Sequence, residues 1–422
     1  MQNKFCPMPF GFMHIDPNGQ IKICCSDSGN MLDEQGQQFN VQTHTLKEAW
    51  NSNHYKKIRL EFLVGQQPKS CFQCWDNEIG NQGKSTRTSS LDLYKKMERK
   101  GYDLQGAIDE AKNTNGEINS CFPADFQVMS GNLCNLSCKM CYPIYSNNWS
   151  KFYTNKNINV RDIKFHSRIG DPEKIYPNFG VVYDWPKTLT LKRIFSEFTD
   201  YIYHINITGG EPTLLDENIE FIEFLKTSEN FKNLELMVIT NTTNINKRLL
   251  DAIQDFSEVT LINSLDGMDE IAYIQRTPSN WPQIYKNFKT LRKFAYTRPN
   301  INHCIITVVT ALNIHHIGRF WDYLISQKIN MFEPGNISAH FVVQDTQNVG
   351  LGIVPKNVIK KIREQFVQIK SLKDTPPYHR VLNYIDNMTW ADDNTAMLEM
   401  LNSIQKLHPE LNIRELYSIY YE

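Results

Sequence analysis

The sequence predicts an α/β fold built on a parallel sheet, and three observations carry that prediction. Between residues 123 and 345, short apolar runs alternate with amphipathic stretches, the pattern of successive β–α–β units. Ahead of them, residues 1–90 hold five of the chain's ten cysteines. Behind them, residues 346–422 read as helices.

The strands of the alternating region are expected at 125–129, 204–208, 234–240, 259–265, 304–310 and 338–343. Helical patterns fall near 217–226, 246–255, 282–295 and 316–326. Six strands suit an open sheet or a partial barrel, and either architecture places ligands at the carboxyl ends of its strands. Residues 144–195 interrupt the alternation with Trp149, Phe152, Tyr153, Tyr176 and Trp185, a candidate lid or substrate-contacting insertion. In the tail, Val358, Ile359, Ile362, Phe366 and Ile369 form one apolar stripe behind Pro355. A second pattern runs from Asn394 through Leu398, Leu401 and Ile404. Both are expected to cover an open side of the core.

The first 90 residues predict a small α+β module. "HIDPNGQIKICC" reads as a hairpin turning at Pro17-Asn18-Gly19, and residues 45–63 read as one helix ending before Gly65. A polar linker with a short helical pattern, within 91–122, follows.

Composition narrows the function classes. Across 422 residues, 45 Lys and Arg nearly balance 46 Asp and Glu, which argues against a nucleic-acid partner. The run Val358–Arg363 reads as the solvated face of an amphipathic helix. No apolar run approaches the ~20 residues of a membrane span. The first ten residues lack the basic and apolar regions of a signal peptide. A cytoplasmic protein without a membrane partner is expected, and reduced thiols grouped in such a chain point to metal rather than to disulfides.

The chemistry concentrates in two cysteine groups. "GNLCNLSCKMCYP" sets Cys134, Cys138 and Cys141 in one loop after the first strand of the alternating region. Three thiolates can hold three irons of a cubane and leave the fourth open to a small-molecule ligand. No His falls in or beside the loop to complete a three-cysteine zinc site. One strand later, "NITGGEPTLL" places Gly209, Gly210, Glu211 and Pro212 at a strand end, where glycines admit a close ligand and Glu211 offers a carboxylate.

Together these segments resemble the CxxxCxxC and GGEP signatures of radical S-adenosylmethionine (SAM) enzymes. The resemblance implies a partial (β/α)6 TIM-like barrel, a [4Fe–4S] cluster on Cys134, Cys138 and Cys141, and SAM on the open iron. It implies that the GGEP segment binds the amino group of SAM. Weaker echoes follow at the next strand ends. "VITNTTN" offers Asn241, with Thr242 where relatives often carry Gly. "NSLDGMDEIAYIQR" offers Ser264 and Arg276, which the resemblance directs to the ribose and carboxylate of SAM; Asn313 is a further ribose candidate. Ser264 reads equally well as a strand-end hydroxyl capping a turn.

The N-terminal cysteines follow C-x12-G-x4-C…C-x2-C through Cys6, Gly19, Cys24, Cys71 and Cys74. This is similar to the auxiliary-cluster domains called SPASM and, in four-cysteine form, twitch. It implies a second, fully ligated [4Fe–4S] cluster, ahead of the core where most relatives carry it behind; a structural zinc knuckle is the alternative. Spacing favours Cys24 over Cys25 as the ligand. Cys121 and Cys304 stand alone; Cys304, on a core strand, is a remote candidate hydrogen donor.

The implied activity is reductive cleavage of SAM to a 5′-deoxyadenosyl radical that abstracts hydrogen from a substrate. An electron donor such as flavodoxin or ferredoxin is the implied partner. Relatives with these modules point to a ribosomally made peptide or protein as substrate. Oxidation of a small carbohydrate-like or amino-alcohol metabolite is the alternative, and a non-catalytic iron–sulfur or zinc scaffold is the alternative of another class. No general base can be named; Asp266, His340 and Tyr142 are candidates by position only.

Overall fold

A computed structural model describes residues 4–80, 85–149, 151, 181–327, 337–341, 349–373 and 375–422. Its strands are β1 (Phe12–Ile15), β2 (Ile21–Lys22), β3 (Asp125–Met129), β4 (Ser137–Cys138), β5 (His204–Thr208), β6 (Glu235–Thr240), β7 (Glu258–Ser264), β8 (Arg276–Thr277), β9 (Ile301–Val309) and β10 (Ile337–Phe341). The six strands expected from 125 onward are all present, within three residues of their expected limits; positions 342 and 343 lie outside the described residues. The expected lid falls largely on 152–180, also outside them.

The chain forms two compact units. The first comprises Met1–Asn132, Tyr183–Ile239 and Asn246–Thr260; the second comprises Leu133–Val182, Thr240–Ile245 and Leu261–Glu422.

In the first unit the strands stand in the order β2-β1-β3-β5-β6. Pairing is parallel from β1 to β6, and only β2 runs antiparallel, as the return arm of the hairpin. The cysteine-rich module is therefore not a bead ahead of the sheet: its hairpin supplies β1, in register with β3 from Phe12↔Asp125 to Ile15↔Val128. One face is apolar. Phe126 meets Phe195 at 5.0 Å between ring centroids, and Phe195 meets Phe221 of the helix Asp216–Leu225 at 4.8 Å. Burying each such ring contributes about 1.5–3 kcal/mol.

The opposite face begins, at the amino ends, with the registered row Asp125, His204 and Glu235. His204 Nδ1 lies 2.6 Å from Asp125 Oδ1, and the carboxylate pushes the buried imidazole's pKa up although burial opposes it. Lys96 and Lys100, on the helix Thr86–Arg99, bind Glu235 and hold its carboxyl below the usual range against the opposing effect of burial.

Helices depart from expectation where capping side chains intervene. The single helix expected over 45–63 is two, Leu46–Trp50 and Asn53–Leu63, because Ser52 accepts from the Tyr55 N–H and starts a new one. The linker carries two full helices, Thr86–Arg99 and Leu104–Asn113. Arg59 ties this region together from the buried side. Its guanidinium donates to the carbonyls of Pro9, Trp50 and Gly116 and to Asn51 Oδ1, and stacks 4.0 Å from Trp50.

In the second unit the last residues of β7 are followed by β9 and β10, the latter two parallel in register. One core joins Phe320 and Trp321 of the helix Ile317–Ser326 to the tail helices Lys356–Val367, Pro376–Asn387 and Thr395–Leu407. The middle tail helix escaped the sequence reading, because Pro376-Pro377 resembles a breaker although proline at the first turn costs no hydrogen bond. Tyr417 and Tyr420 close the core by donating to the carbonyls of Leu312 and Ala311. Among the described residues no helix is long and apolar enough to cross a membrane.

Candidate functional site

The loop of Cys134, Cys138 and Cys141 belongs to the second unit and is braced at several points. Strand β4 pairs antiparallel with β8, setting Ser137 opposite Thr277 and Cys138 opposite Arg276. Asn147 Oδ1 accepts from the Cys134 N–H at 3.2 Å, and Ser146 Oγ donates to the Leu136 carbonyl at 2.6 Å. Lys139, fully buried between two of the cysteines, reaches Thr277 Oγ1 at 3.2 Å and lies 5.2 Å from the Trp149 ring. The loop is a fixed frame.

None of the three thiols is in a disulfide. N–H donors point at their sulfurs: the Leu136 amide at 3.5 Å and Asn241 Nδ2 at 3.9 Å from Cys134, and Arg276 Nη1 at 3.8 Å from Cys138. Burial pushes the Cys141 thiol well up, and Cys138 and Cys134 raise it further, so the three sulfurs share one field. Such a set is stable as thiolates only when it shares positive metal.

The other predicted residues of this unit fall into three kinds. Asn241 joins the cluster loop directly, through Asn135 Oδ1 at 2.9 Å as well as the Cys134 sulfur. Thr242, where the family often carries glycine, has a left-handed backbone: its φ is +66°, its amide donates to Thr240 Oγ1, and its hydroxyl donates to Asn263 Oδ1. A β-branched residue in that region costs about 1–2 kcal/mol, which these bonds offset. Ser264 is buried and its hydroxyl has no hydrogen-bond partner among the described residues. Asn313 instead donates to the carbonyls of Asp266 and Val308 and accepts from the Thr310 amide, so its amide is spent on bracing strand ends.

Arg276 and Asp266 form a buried pair, Nε to Oδ2 at 2.6 Å, and Asp266 Oδ1 also accepts from the Val308 N–H. Burial works against the guanidinium's charge, but Asp266 and then Cys138 push its pKa up.

The GGEP turn lies in the first unit, at the end of β5. Gly209 and Gly210 have φ of +82° and +53°, and a Cβ on Gly209 would stand 2.5 Å from the Cβ of Met129 on β3. Both conformation and space therefore require glycine at 209. Pro212 opens a short turn that Glu211 caps, its Oε1 accepting from the amide and hydroxyl of Thr213. Glu211 is 1% exposed, so its carboxylate is fixed before any ligand arrives.

The second cysteine group is also in this unit. Gly19 has φ of +82° in the hairpin turn, and a Cβ there would stand 2.7 Å from Asn40 Oδ1, which explains the glycine of the spacing pattern. Cys71 ends a single turn and Cys74 follows on the helix Phe72–Gly80. Arg87 pairs with Glu78 of that helix and donates to the Phe5 carbonyl beside Cys6. Cys6, Cys24 and Cys74 are buried and Cys25 is exposed. Burial raises the Cys71 thiol to about 12 and raises Cys6 and Cys24 as well; Cys71 and Cys74 add to Cys6, and Cys6 and Cys71 add to Cys24. Among the described residues no three His, Cys, Asp or Glu side chains are placed to hold a metal ion. Ligands on separate irons of a cluster need not converge on one point.

One row escaped the sequence reading. His14, Gln127 and Asn206 are in register on the sheet face opposite Phe126. His14 Nε2 bonds Asp16 at 2.8 Å, while among the described residues its buried Nδ1 has no partner, and neither does Asn206 Oδ1. Only strand pairing reveals the row, since the three residues lie on three separate segments.

Residues 128–324 match the model of the radical SAM superfamily. That segment is a radical SAM domain. Residues 6–75 match SPASM, an iron–sulfur cluster-binding domain, so the auxiliary module of this radical SAM protein does precede its core. A core [4Fe–4S] cluster with SAM and an auxiliary SPASM cluster are its cofactors, and the two thiol sets fit them in number and environment. No curated protein matches the chain. Similar solved structures include native anSMEcpe with bound AdoMet and a Cp18Cys peptide, at 17% identity and TM-score 0.36, covering 57% of this chain and 58% of that one. Streptococcus suis SuiB bound to precursor peptide SuiA shows 16% identity and TM-score 0.36, covering 65% and 53%. The chain thus spans under two thirds of the length of these two structures.

Proposed function

We propose that this radical SAM protein cleaves SAM reductively and modifies a ribosomally made peptide or protein in the cytoplasm, with flavodoxin or ferredoxin as electron donor. The observation that carries the reading is the braced loop of Cys134, Cys138 and Cys141, which offers three thiolates and no fourth. A cluster held by Cys134, Cys138 and Cys141 would supply the single electron for reductive cleavage of SAM, with methionine as leaving group, and so the chemistry of hydrogen abstraction from the substrate.

The chain's own residues position and insulate. Glu211, held by Thr213 behind Gly209, Gly210 and Pro212, is assigned to the SAM amino group. The free hydroxyl of Ser264 is assigned to the ribose and Arg276 to the carboxylate. Asn241 steadies Cys134. Asn313, offered by sequence as a ribose ligand, is assigned to bracing instead. Trp149, buried beside Lys139 of the loop, is assigned to keeping water from that side. Cys6, Cys24, Cys71 and Cys74 are assigned to the auxiliary cluster, an assignment supported by the SPASM match over residues 6–75.

Anaerobically reconstituted protein, reduced with dithionite in the presence of SAM, is expected to release 5′-deoxyadenosine. Equal release from the Cys134→Ala/Cys138→Ala/Cys141→Ala variant would overturn the assignment.

A further inference from the structure

We infer that Arg276 sets the reduction potential of the core cluster through its hydrogen bond to the Cys138 sulfur. The inference rests on the reading of Cys138 as a cluster ligand and adds a second task to the guanidinium.

The three sulfurs of the loop are not equivalent. Cys134 receives a backbone amide and the neutral amide of Asn241. Cys138 receives a donor from a cation, Arg276 Nη1 at 3.8 Å. That contact is built in rather than incidental. The β4–β8 ladder sets residue 138 opposite residue 276, so the backbone fixes the approach. Asp266 then holds Nε at 2.6 Å, and Asp266 is itself fixed by the Val308 amide and is 1% exposed. The planar fork of arginine serves both partners at once in a fixed geometry, whereas lysine offers a point charge on a flexible stem. Nη2 remains for a ligand carboxylate.

One-electron reduction adds negative charge to the cluster and its sulfurs. A cationic N–H donor at a sulfur favours the reduced state and raises the potential, and low exposure strengthens the effect. The nearby carboxylate of Asp266 opposes it, but the guanidinium stands between Asp266 and the sulfur. Arg276 therefore makes the core cluster easier to reduce than its other surroundings would allow.

The test is an EPR-monitored redox titration of the reconstituted full chain without SAM, with dithionite as reductant and iron content measured alongside. Arg276→Gln is expected to lower the core midpoint potential by at least a tenfold change in the reduction equilibrium, ~59 mV for one electron. Arg276→Lys, which keeps a charge but loses the fork, is expected to fall between Gln and wild type. If the Gln variant does not hold its cluster, the Lys variant decides. With full iron, a potential equal to wild type in either variant overturns the inference, as does a positive shift. Release of 5′-deoxyadenosine by wild type tests the SAM reading separately, because the titration contains no SAM.

Discussion

The two cysteine groups are held in opposite ways. The triplet spans eight residues of one loop, steadied by a two-residue ladder, short side-chain bonds and N–H donors aimed at sulfur. The quartet is spread over 69 residues, from Cys6 to Cys74, and is assembled by tertiary structure: a hairpin, a capped helix and the ties of Arg59 and Arg87. A local frame can leave one metal position open and still keep its shape. A distributed frame depends on its metal to close it. On the proposed function, the triplet is the part tuned for reaction and the quartet the part coupled to folding.

This contrast can be broken at either end, and the largest effect is expected at the triplet. Replacing Cys134, Cys138 and Cys141 by Ala should lower bound iron from about eight to about four per chain and abolish 5′-deoxyadenosine release, while the fold, read by circular dichroism, survives. Replacing Cys6 and Cys74 by Ala should remove a similar amount of iron but also lower the melting temperature, because the scattered segments lose their shared ligand. A variant that loses iron and keeps its melting temperature would show that the quartet is as local as the triplet.

Arg59→Met should come next. It strands three buried carbonyls and removes a stacked cation, a loss of about 3–5 kcal/mol, and it should weaken retention of the auxiliary iron before that of the core iron. Gly209→Ala is expected to be milder for stability, about 1–3 kcal/mol, but to weaken SAM binding by calorimetry, since Glu211 is carried by the same turn.

The smallest effect is that of pH. Lys100 and Lys96 hold Glu235 below its ordinary pKa in spite of its burial, so it stabilises the fold above the unfolded value of about 4.3 and ceases to as pH falls through the folded value. Melting temperature should therefore decline below about pH 5. Glu235→Gln should start lower at pH 7 and decline less steeply.

Much of this was legible in the sequence because it was local. CNLSCKMC, GGEP and the C-x12-G-x4-C spacing each lie within one turn or hairpin, and strand periodicity gave the alternating core. What was not legible depends on pairing between distant segments. No spacing shows that β1 of the cysteine-rich module joins the core sheet beside β3, or that Cys138 faces Arg276. Thr242 looked like a departure from the family's glycine, yet it adopts a left-handed backbone because Thr240, Asn263 and Asn287 hold it. Asn313 looked available, yet its amide is consumed by strand ends.

The most direct test of one open and one closed cluster is the EPR spectrum of the reduced, fully loaded protein before and after addition of SAM. Two signals are expected, of which SAM changes one, and the changed signal should be missing from the Cys134→Ala/Cys138→Ala/Cys141→Ala variant. A spectrum in which SAM alters neither signal, or alters the one that survives in that variant, would contradict the account.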